Sequence, residues 1–253
     1  MLPRTPSYRL DGKRAVVIGG SRGIGLGCAV ALAEQGASVV IVARSKVQVF
    51  ETVNEMKSEG FSVSGAPMDV SIIDNVKNLM GEYSDIDILV NSAGIARHTP
   101  TVDTTELDFD EVMSVNVRSA YFLAQSAAKQ MISKGTGGSI IQISSQMAHV
   151  GGIDRAVYCG TKHAIEGINK SMAIEFGPHK IRVNSICPTF IRTPFTEPTF
   201  KDPEKVKWIE SKIKVGRVGE VEDIMGAVKF LASDVSAMVT GSSILIDGGR
   251  TAG

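Results

Sequence analysis

Short continuous apolar runs alternate along this chain with longer stretches in which apolar residues recur at helical spacing. The runs are bounded by charge or glycine and are therefore typical of strands buried on both faces. They cover residues 15–18, 38–43, 63–68, 87–90, 139–144, 181–186 and 243–247. The helical stretches cover residues 26–35, 46–59, 71–82, 105–134, the segment that carries Tyr158 and Lys162, 204–213 and 220–233.

Strands that alternate with helices in this way predict an α/β fold. Right-handed crossovers join parallel strands, so we expect a single doubly wound sheet of about seven parallel strands flanked by helices. No linker, repeat or low-complexity segment divides the chain, and its 253 residues suit one large domain better than two small ones. We therefore expect one domain over residues 1–253.

The segment at about 189–216 breaks the alternation. Residues 190–203 contain Pro194, Pro198 and Pro203 together with several aromatic side chains, and they are too irregular for a regular element. A proline-interrupted segment beside a cleft is a candidate lid, so we expect a substrate flap here.

Composition excludes several classes of partner. Basic and acidic residues number 27 each without a long run of like charge, so we expect no nucleic-acid or membrane surface. Cys28, Cys159 and Cys187 lie in or beside apolar runs and are odd in number, which predicts reduced, packed thiols and no metal site. The first residues lack the apolar stretch of a secretion signal, so we expect a cytoplasmic protein.

A glycine-rich loop follows the first predicted strand and opens the first predicted helix. Its residues are Gly19, Gly20, Ser21, Arg22, Gly23, Ile24 and Gly25. Strand, glycine loop and helix form the arrangement that brings backbone N–H groups and a helix N-terminus to a pyrophosphate, as in Rossmann folds. The spacing is G-x-x-x-G-x-G and not the commoner G-x-G-x-x-G, so a glycine turn used only for packing is the alternative.

The end of the second strand bears on the choice of cofactor. A carboxylate near this point binds a ribose 2′-OH, whereas an arginine accommodates a 2′-phosphate. Arg44 and Ser45 occupy the position, and Arg22 offers a second guanidinium from the glycine loop. Two cations at one place favour a phosphate, so we expect NADP(H), with NAD(H) as the alternative. Either arginine alone is also compatible with a solvated surface residue.

Small polar residues follow the third and fourth strands. Asp69 and Val70 come first, and Asp69 is expected either to accept a hydrogen bond from adenine or to cap the next helix. The fourth strand runs into Asn91, Ser92, Ala93 and Gly94. Ligands of open parallel sheets bind at the carboxyl ends of the strands, so these residues are expected to line the cofactor cleft.

Tyr158 and Lys162 are four residues apart, with Ser145 thirteen residues before the tyrosine. On a helix the phenol and the ammonium share one face, and an ammonium there is expected to lower the phenol pKa from about 10. The pair alone occurs by chance in about one chain in two of this length, and a lysine stem packed on a tyrosine ring is the alternative.

Asn116, inside the helix predicted at 105–134, is either a satisfied core amide or part of a proton relay.

Taken together, these motifs resemble the short-chain dehydrogenase/reductase family over nearly the whole chain. The resemblance rests on Gly19-x-x-x-Gly23-Ile24-Gly25, Asp69-Val70, Asn91-Ser92-Ala93-Gly94, Asn116, Ser145, Tyr158-x-x-x-Lys162 and Asp247-Gly248-Gly249. It implies that Tyr158 exchanges a proton with the substrate oxygen and that Ser145 hydrogen-bonds the same oxygen. It further implies that Lys162 binds the nicotinamide ribose and favours tyrosinate, and that Asn116 holds a water.

The resemblance also implies cofactor-binding positions at Pro188, Ile191 and Thr193, with Thr193 on the nicotinamide carboxamide. The chain departs from the family pattern at three places. Ile18 stands where threonine is usual, Ser92 replaces a second asparagine, and Thr189 follows Pro188 where glycine is common. None of the three belongs to the implied proton-transfer set.

The substrate pocket is expected to involve Ser145, Gln146, His149 and Tyr158, with Gly151, Gly152, Ile153, Thr189 and the flap around them. His149 is equally compatible with a solvated loop. The mixed polar and aromatic lining of the expected pocket suits a small ketone, a sugar or polyol, or an acyl β-ketone.

We therefore expect an NADP(H)-dependent oxidoreductase that interconverts a ketone and a secondary alcohol. The alternatives are an NAD(H)-dependent sugar or polyol dehydrogenase, a 3-oxoacyl thioester reductase and, from another class, a nucleotide sensor without turnover. Family members commonly associate, and small residues at 116–129 and 164–172 would suit a homotetramer or dimer.

Overall fold

A parallel sheet of seven strands forms the centre of the protein. The computed structural model describes residues 2–253. The strands are β1 (Arg14–Ile18), β2 (Ser38–Ala43), β3 (Val63–Pro67), β4 (Ile88–Asn91), β5 (Gly138–Ile143), β6 (Ile181–Pro188) and β7 (Ser243–Ile246). They are ordered β3-β2-β1-β4-β5-β6-β7, and every neighbouring pair is parallel. The predicted fold class, a doubly wound Rossmann sheet, is confirmed.

Helices cover both faces of this sheet. They are α1 (Gly23–Glu34), α2 (Lys46–Ser58), α3 (Ile73–Glu82), α4 (Glu106–Met113), α5 (Ser119–Lys134), α6 (Ala156–Phe176), α7 (Glu197–Phe200), α8 (Pro203–Lys212) and α9 (Glu222–Ala232). The predicted positions of the long helices are confirmed to within a few residues. None of the helices in the described part of the chain is both long and apolar enough to cross a lipid bilayer.

Two predicted elements differ in detail. The helix expected over residues 105–134 contains a π-helical segment, Ser114–Arg118, between α4 and α5. The extra residue in such a turn shifts the following side chains around the axis, and such segments often mark functional sites. Residues 190–203 were expected to hold no regular element, which is wrong, because they include α7. Pro198 falls in the first turn of α7, where a missing N–H costs no helical hydrogen bond.

Alternating side chains of the strands form one apolar core on each face of the sheet. On β1, Ala15 and Val17 pack with residues of α1, α2 and α9, whereas Val16 and Ile18 pack with residues of α3, α5 and α6. A smaller cluster of Ile209, Ile213 and Val218 lies under the flap, with Phe190 and Phe200 against it. The flap therefore packs on its own apolar contacts beside the main core.

The reversal of strand order at β1 and β4 fixes where a ligand can bind. From β1 the chain winds outward to β2 and β3, and then returns to β4 on the other side of β1. The crossover helices leave a crevice at the carboxyl ends of these two strands, the usual ligand position in open α/β sheets. The glycine loop after β1 and residues 92–94 after β4 both lie at this crevice.

At the opposite end of the sheet, a buried carboxylate connects β1, β4 and α5. Asp87 is 5% exposed. It accepts hydrogen bonds from the Arg14 backbone N–H at 2.9 Å and from Lys134 Nζ at 2.8 Å. Lys13 Nζ lies 3.6 Å from the same carboxylate. A desolvated carboxylate requires such partners, so Asp87 holds the C-terminus of α5 against the start of β1.

We expect Asp87→Asn to lower the free energy of unfolding by about 2 kcal/mol, because it leaves Lys134 without its charge partner. Urea unfolding measures the change. The matched control is Asp85→Asn, which breaks an ion pair with Arg14 whose side chains are 55% and 35% exposed. Its cost should stay below about 1 kcal/mol. Equal losses in the two variants would contradict a structural role for Asp87.

Candidate functional site

A cleft of about 740 Å³ opens at the carboxyl ends of β1, β2, β4, β5 and β6. Most of the predicted site residues line it: Gly19, Ser21, Arg22, Gly23, Ile24, Arg44, Ser45, Asp69, Val70, Ala93, Gly94, Ser145, Gln146, Tyr158, Lys162, Pro188, Ile191 and Thr193. The flap closes one side of the cleft through Phe190, Pro194, Phe195 and Thr196. The fold thus brings residues from seven separate chain segments to one surface.

The glycine loop has the geometry of an anion cradle. Gly19 and Gly23 have φ of +73° and +54°, in the left-handed region that favours glycine. A Cβ on Gly25 would lie 2.1 Å from the Gly19 carbonyl oxygen, so α1 can pack this closely only without a side chain there. No side chain caps the N-terminus of α1, which leaves its first N–H groups available. These features fit the pyrophosphate of a dinucleotide.

Two arginines lie at the β2 side of the cleft, Arg22 in the glycine loop and Arg44 directly after β2. Arg22 and Arg44 are both exposed and both line the cleft. Neither guanidinium pairs with a carboxylate within residues 2–253, where the arginine ion pairs involve other positions. Two unpaired guanidiniums at the adenosine end of a dinucleotide cleft provide charge for a 2′-phosphate.

Two neighbouring polar side chains also hold their own loops in place. Asp69 accepts hydrogen bonds from the N–H of Ser71 at 2.9 Å and from its hydroxyl at 2.7 Å, so it caps the turn before α3. Ser45 is the N-cap of α2 and accepts from the Gln48 N–H at 3.3 Å. The N-cap of α3 is Ile72 and no side chain caps it within residues 2–253, so the helix-capping hypothesis for Asp69 is wrong, whereas adenine recognition stays a prediction.

At the other end of the cleft, Ser145, Tyr158 and Lys162 come together. Ser145 lies just after β5, and its hydroxyl accepts from the Met147 N–H at 3.1 Å. Tyr158 and Lys162 are one helical turn apart on α6, with Lys162 Nζ 5.6 Å from the centre of the Tyr158 ring. Lys162 Nζ donates to the Ile143 carbonyl at 3.0 Å, which anchors the ammonium at the end of β5.

Burial controls the ionisation of this pair. Desolvation raises the pKa of Tyr158, and the Ser145 hydroxyl and Arg155 oppose it only in part. The expectation that the phenol pKa lies below its usual value is therefore wrong, because burial outweighs the groups that lower it. The Lys162 amine is itself desolvated, and burial lowers its pKa to about 8 although the Glu166 carboxylate acts in the opposite direction.

Asn116 lies in the π-helical segment and holds the loop after β4. Its Oδ1 accepts from the Ile95 N–H at 2.9 Å, and its Nδ2 donates to the Ile95 carbonyl at 2.9 Å and to Thr161 Oγ1 at 3.2 Å. Thr161 Oγ1 in turn donates to the Tyr158 carbonyl at 2.7 Å. Asn116 is 3% exposed and its amide donors are both used, so it connects the cleft floor to α6 from behind the cleft surface.

Four predicted site residues do not line the cleft. They are Gly25, Asn91, Asn116 and His149. Asn91 turns into the sheet, where its Nδ2 donates to Gln142 Oε1 at 2.9 Å and its Oδ1 accepts from the Ala93 N–H at 3.2 Å. His149 is exposed, because the 3-10 turn Gln146–Ala148 carries the chain away from the cleft. Gly151, Gly152 and Ile153 are exposed beside it and do not line the cleft either.

Sequence reasoning missed several side chains that line the substrate end. His98 and Arg155 are the polar ones, and Ile95, Val115 and Met147 are among the apolar ones. His98 lies in an irregular loop without a motif, so no sequence signal identified it. Arg155 comes three residues before Tyr158, a spacing that places both side chains on one side of α6 and could have identified it.

Buried polar atoms without partners also face this end. Gln146 Oε1 and Thr189 Oγ1 have no hydrogen-bond partner in the described part of the chain, and both residues line the cleft. A buried polar atom without a partner is costly, so these atoms fit a ligand that supplies hydroxyl or amide groups.

A cluster of His149, Glu166 and Cys187 lies behind Lys162, with ligand atoms within 4.8 Å of one another. Glu166 accepts hydrogen bonds from the hydroxyls of Ser185 at 2.7 Å and Ser243. Burial alone raises the Glu166 pKa, but these hydrogen bonds outweigh it and hold the pKa below its usual range. The Cys187 thiol keeps its proton, because burial raises its pKa to about 12. A protonated thiol and a nearby ammonium oppose metal binding.

Comparisons with known proteins find relatives over nearly the whole chain. The family model described as "Enoyl-(Acyl carrier protein) reductase" matches residues 18–251. L-xylulose reductase of Bos taurus is 37% identical over 241 residues, covering 95% of this chain and 97% of the relative. Gluconate 5-dehydrogenase of Gluconobacter oxydans is 36% identical over 248 residues, with 96% of each chain covered. The crystal structure of a gluconate 5-dehydrogenase from Burkholderia cenocepacia J2315 in complex with NADP and tartrate superposes with a TM-score of 0.94 at 34% identity, covering 97% of this chain and 98% of the other.

The buried amine yields a prediction about stability and pH. The folded protein releases the Lys162 proton near pH 8 and the unfolded chain releases it near 10.5, so the free energy of unfolding should rise with pH between these values. Lys162→Met should remove this rise and should raise stability at pH 7 by about 1–2 kcal/mol, since the lost hydrogen bond offsets part of the gain. Urea unfolding at several pH values measures both effects.

Lys170→Met is the matched control, because Lys170 is an exposed lysine on the same helix. It should keep the pH dependence of the wild type. If Lys162→Met unfolds more easily than wild type at pH 7, the conclusion that burial destabilises this ammonium is wrong.

Proposed function

The chain belongs to the short-chain dehydrogenase/reductase family, and we propose that it interconverts a ketone and a secondary alcohol with NADP(H). The observation that carries this proposal is that Ser145, Tyr158 and Lys162 lie together in the same cleft as an uncapped helix N-terminus. Bound NADP(H) supplies the hydride that is exchanged with the carbonyl carbon. The protein supplies position, donors and a proton.

Tyr158 is the proton donor in the reduction. Its raised pKa keeps the phenol protonated at neutral pH, so an O–H is ready for the carbonyl oxygen. Ser145 directs a second hydroxyl to the same oxygen, because its contact with the Met147 N–H fixes the side chain. Two donors at one oxygen stabilise the alkoxide that develops when the carbon is reduced. In the oxidation, Tyr158 takes the proton back.

Lys162 acts as an electrostatic and positioning group. Its ammonium lies over the edge of the cleft near Gly94, where an added Cβ would lie 3.9 Å from Nζ. From there it can donate to a ribose hydroxyl and can stabilise tyrosinate once a proton has left. Asn116 contributes by fixing Ile95 and Thr161 through its side-chain amide. We also propose that Asn116 holds a water in the proton path.

Arg22 and Arg44 select NADP(H) over NAD(H). For the substrate, we propose the class of polyhydroxylated compounds. The relatives named for L-xylulose and gluconate support this class. The unpartnered Gln146 Oε1 and Thr189 Oγ1 suit substrate or carboxamide groups that hydrogen-bond. Residues 189–216 act as the flap of a single domain.

We also propose a cytoplasmic homo-oligomer, a tetramer or a dimer. Three cysteines without disulfides support a reducing compartment. Leu107, Phe109 and Tyr121 on α4 and α5 are 69%, 46% and 39% exposed, and Ile174 on α6 is 78% exposed, which supports association through these helices.

Tyr158→Phe tests the reaction. We expect kcat for ketone reduction to fall about 10³-fold while the Kd of NADPH changes little, because only the proton donor is removed. Absorbance of NADPH with a panel of neutral ketoses, keto acids and 2,3-butanedione gives the rate, and fluorescence titration gives the Kd. Tyr121→Phe, on an exposed face of α5, is the control. Cofactor binding without turnover of any carbonyl by the wild type would favour a nucleotide sensor.

Arg44→Asp tests the cofactor choice. The aspartate should repel a 2′-phosphate and accept from a 2′-OH, so the ratio of kcat/KM for NADPH to that for NADH should fall about 100-fold. Lys46→Asp makes the same reversal of charge two residues away, on a side chain that does not line the cleft. A ratio that changes equally in both variants would mean that general charge, and not Arg44, sets the preference.

A further inference from the structure

Two arginines flank one aromatic ring at the substrate end of the cleft. The Arg155 guanidinium lies 5.7 Å and the Arg250 guanidinium 5.5 Å from the centre of the Phe190 ring. Arg250 also lies 5.3 Å from the Trp208 ring on α8, so the flap contributes to the group. We call Arg155, Phe190, Arg250 and Trp208 the arginine–aromatic cluster. The four residues come from the start of α6, the flap and the C-terminal segment.

Arg155 is held at the cleft surface by His98. Its Nη1 lies 2.9 Å from His98 Nε2, and because a guanidinium can only donate, the imidazole nitrogen must accept. Burial, with a contribution from Arg155, lowers the His98 pKa and keeps the ring neutral for this role. The His98 ring also packs edge-on against Tyr158, with ring centres 5.9 Å apart. Arg155 is therefore fixed near the proton donor.

Arg250 carries a donor without a partner. Its Nη1 is buried and has no hydrogen-bond partner within residues 2–253. Asp247 is the acidic residue near it, but that carboxylate is already occupied by Gly249 and Thr251. Neither Arg250 nor Arg155 belongs to an ion pair in the described chain.

Like charges held this close oppose each other. Burial and the Arg155 charge both lower the pKa of Arg250. Stacking on aromatic rings compensates each cation in part, but it leaves the N–H donors free. An anion between or beside the guanidiniums would remove the repulsion and would pair with these donors.

The cluster is separate from the arginines proposed for the cofactor. Arg22 lies in the glycine loop and Arg44 at the end of β2, whereas Arg155 is the N-cap residue of α6, three residues before Tyr158. A carbonyl held at Tyr158 therefore leaves the remaining part of the same molecule within reach of Arg155. The anion that this cluster would pair with belongs to the substrate and not to the nucleotide.

We propose that Arg155, with the positive charge of Arg250 nearby, binds a carboxylate on the substrate, so that the enzyme acts on sugar acids in preference to neutral sugars. This inference rests on the proposed function, because it assigns the substrate class of the same cleft. Arg155 makes the direct contact. Arg250 does not line the cleft and adds positive charge from its position near the Phe190 ring.

Gluconate and D-glucitol provide a matched pair of probes, since they differ only by a carboxylate in place of CH₂OH. Calorimetric titration of the NADPH-loaded full chain, in which these alcohols cannot react, should give a Kd for gluconate at least about tenfold lower than for glucitol. Arg155→Gln should reduce this ratio to about 2 or less, Arg250→Gln should reduce it by a smaller factor, and Arg155→Lys should retain part of it. D-glucitol 6-phosphate, titrated in parallel, tests for a phosphate site.

Arg118→Gln is the control, because Arg118 also lies over an aromatic ring, Phe122, at 5.6 Å, but away from the cleft. It should leave the ratio unchanged. Equal affinities for gluconate and glucitol, no binding of gluconate, or a ratio insensitive to Arg155→Gln would overturn the proposal. Tight binding of the phosphate without gluconate would overturn it as well. Because the readout is binding, these outcomes are independent of the turnover test with Tyr158→Phe and 2,3-butanedione, whose failure would concern the proposed reaction instead.

Discussion

The functional end of this protein depends on holding one ammonium in a place where water cannot fully solvate it. Lys162 is 6% exposed, and among residues 2–253 its amine has one hydrogen-bond acceptor, the carbonyl of Ile143 at the end of β5. That carbonyl is free because β5 ends there and the parallel ladder no longer uses it. The geometry of the sheet therefore supplies the anchor, and α6 supplies the lysine and the tyrosine one turn apart. An active site built in this way has a stability cost that the rest of the core must offset.

The π-helical segment connects that end of the sheet to the helices. A regular α-helix over residues 105–134 would present a different side chain toward Ile95 and Thr161. The wider turn at Ser114–Arg118 places Asn116 between them, and its amide then joins the loop after β4 to α6. The loop, the π segment and α6 are consequently one hydrogen-bonded unit. This explains why a buried asparagine occurs among small and apolar residues.

The sequence was sufficient for the fold and for most of the cleft, for a physical reason. Parallel strands are buried on both faces, so each one is a continuous apolar run, and ligand residues follow directly where these runs end. Residues such as Gly23, Asp69 and Ser145 could be placed from the local pattern alone. Asn91 and His149 could not, because their side-chain directions depend on Gln142 in a neighbouring strand and on a 3-10 turn. His98, Arg155 and Arg250 meet across three distant segments, which no local pattern reports.

The cleft is positively charged, although the chain as a whole is neutral. The chain has a net charge of zero, yet Arg22, Arg44, Arg155 and Lys162 line the cleft and Asp69 is the acidic residue among its lining. The balancing carboxylates lie elsewhere, many of them in exposed ion pairs such as Arg217 with Asp223. A cleft with walls of low dielectric constant focuses the field of these cations. Both molecules proposed to enter it, a dinucleotide phosphate and a sugar carboxylate, are anions, so one electrostatic feature serves the binding of each. The two groups of arginines lie at opposite ends, which allows the anions to bind together without sharing a site.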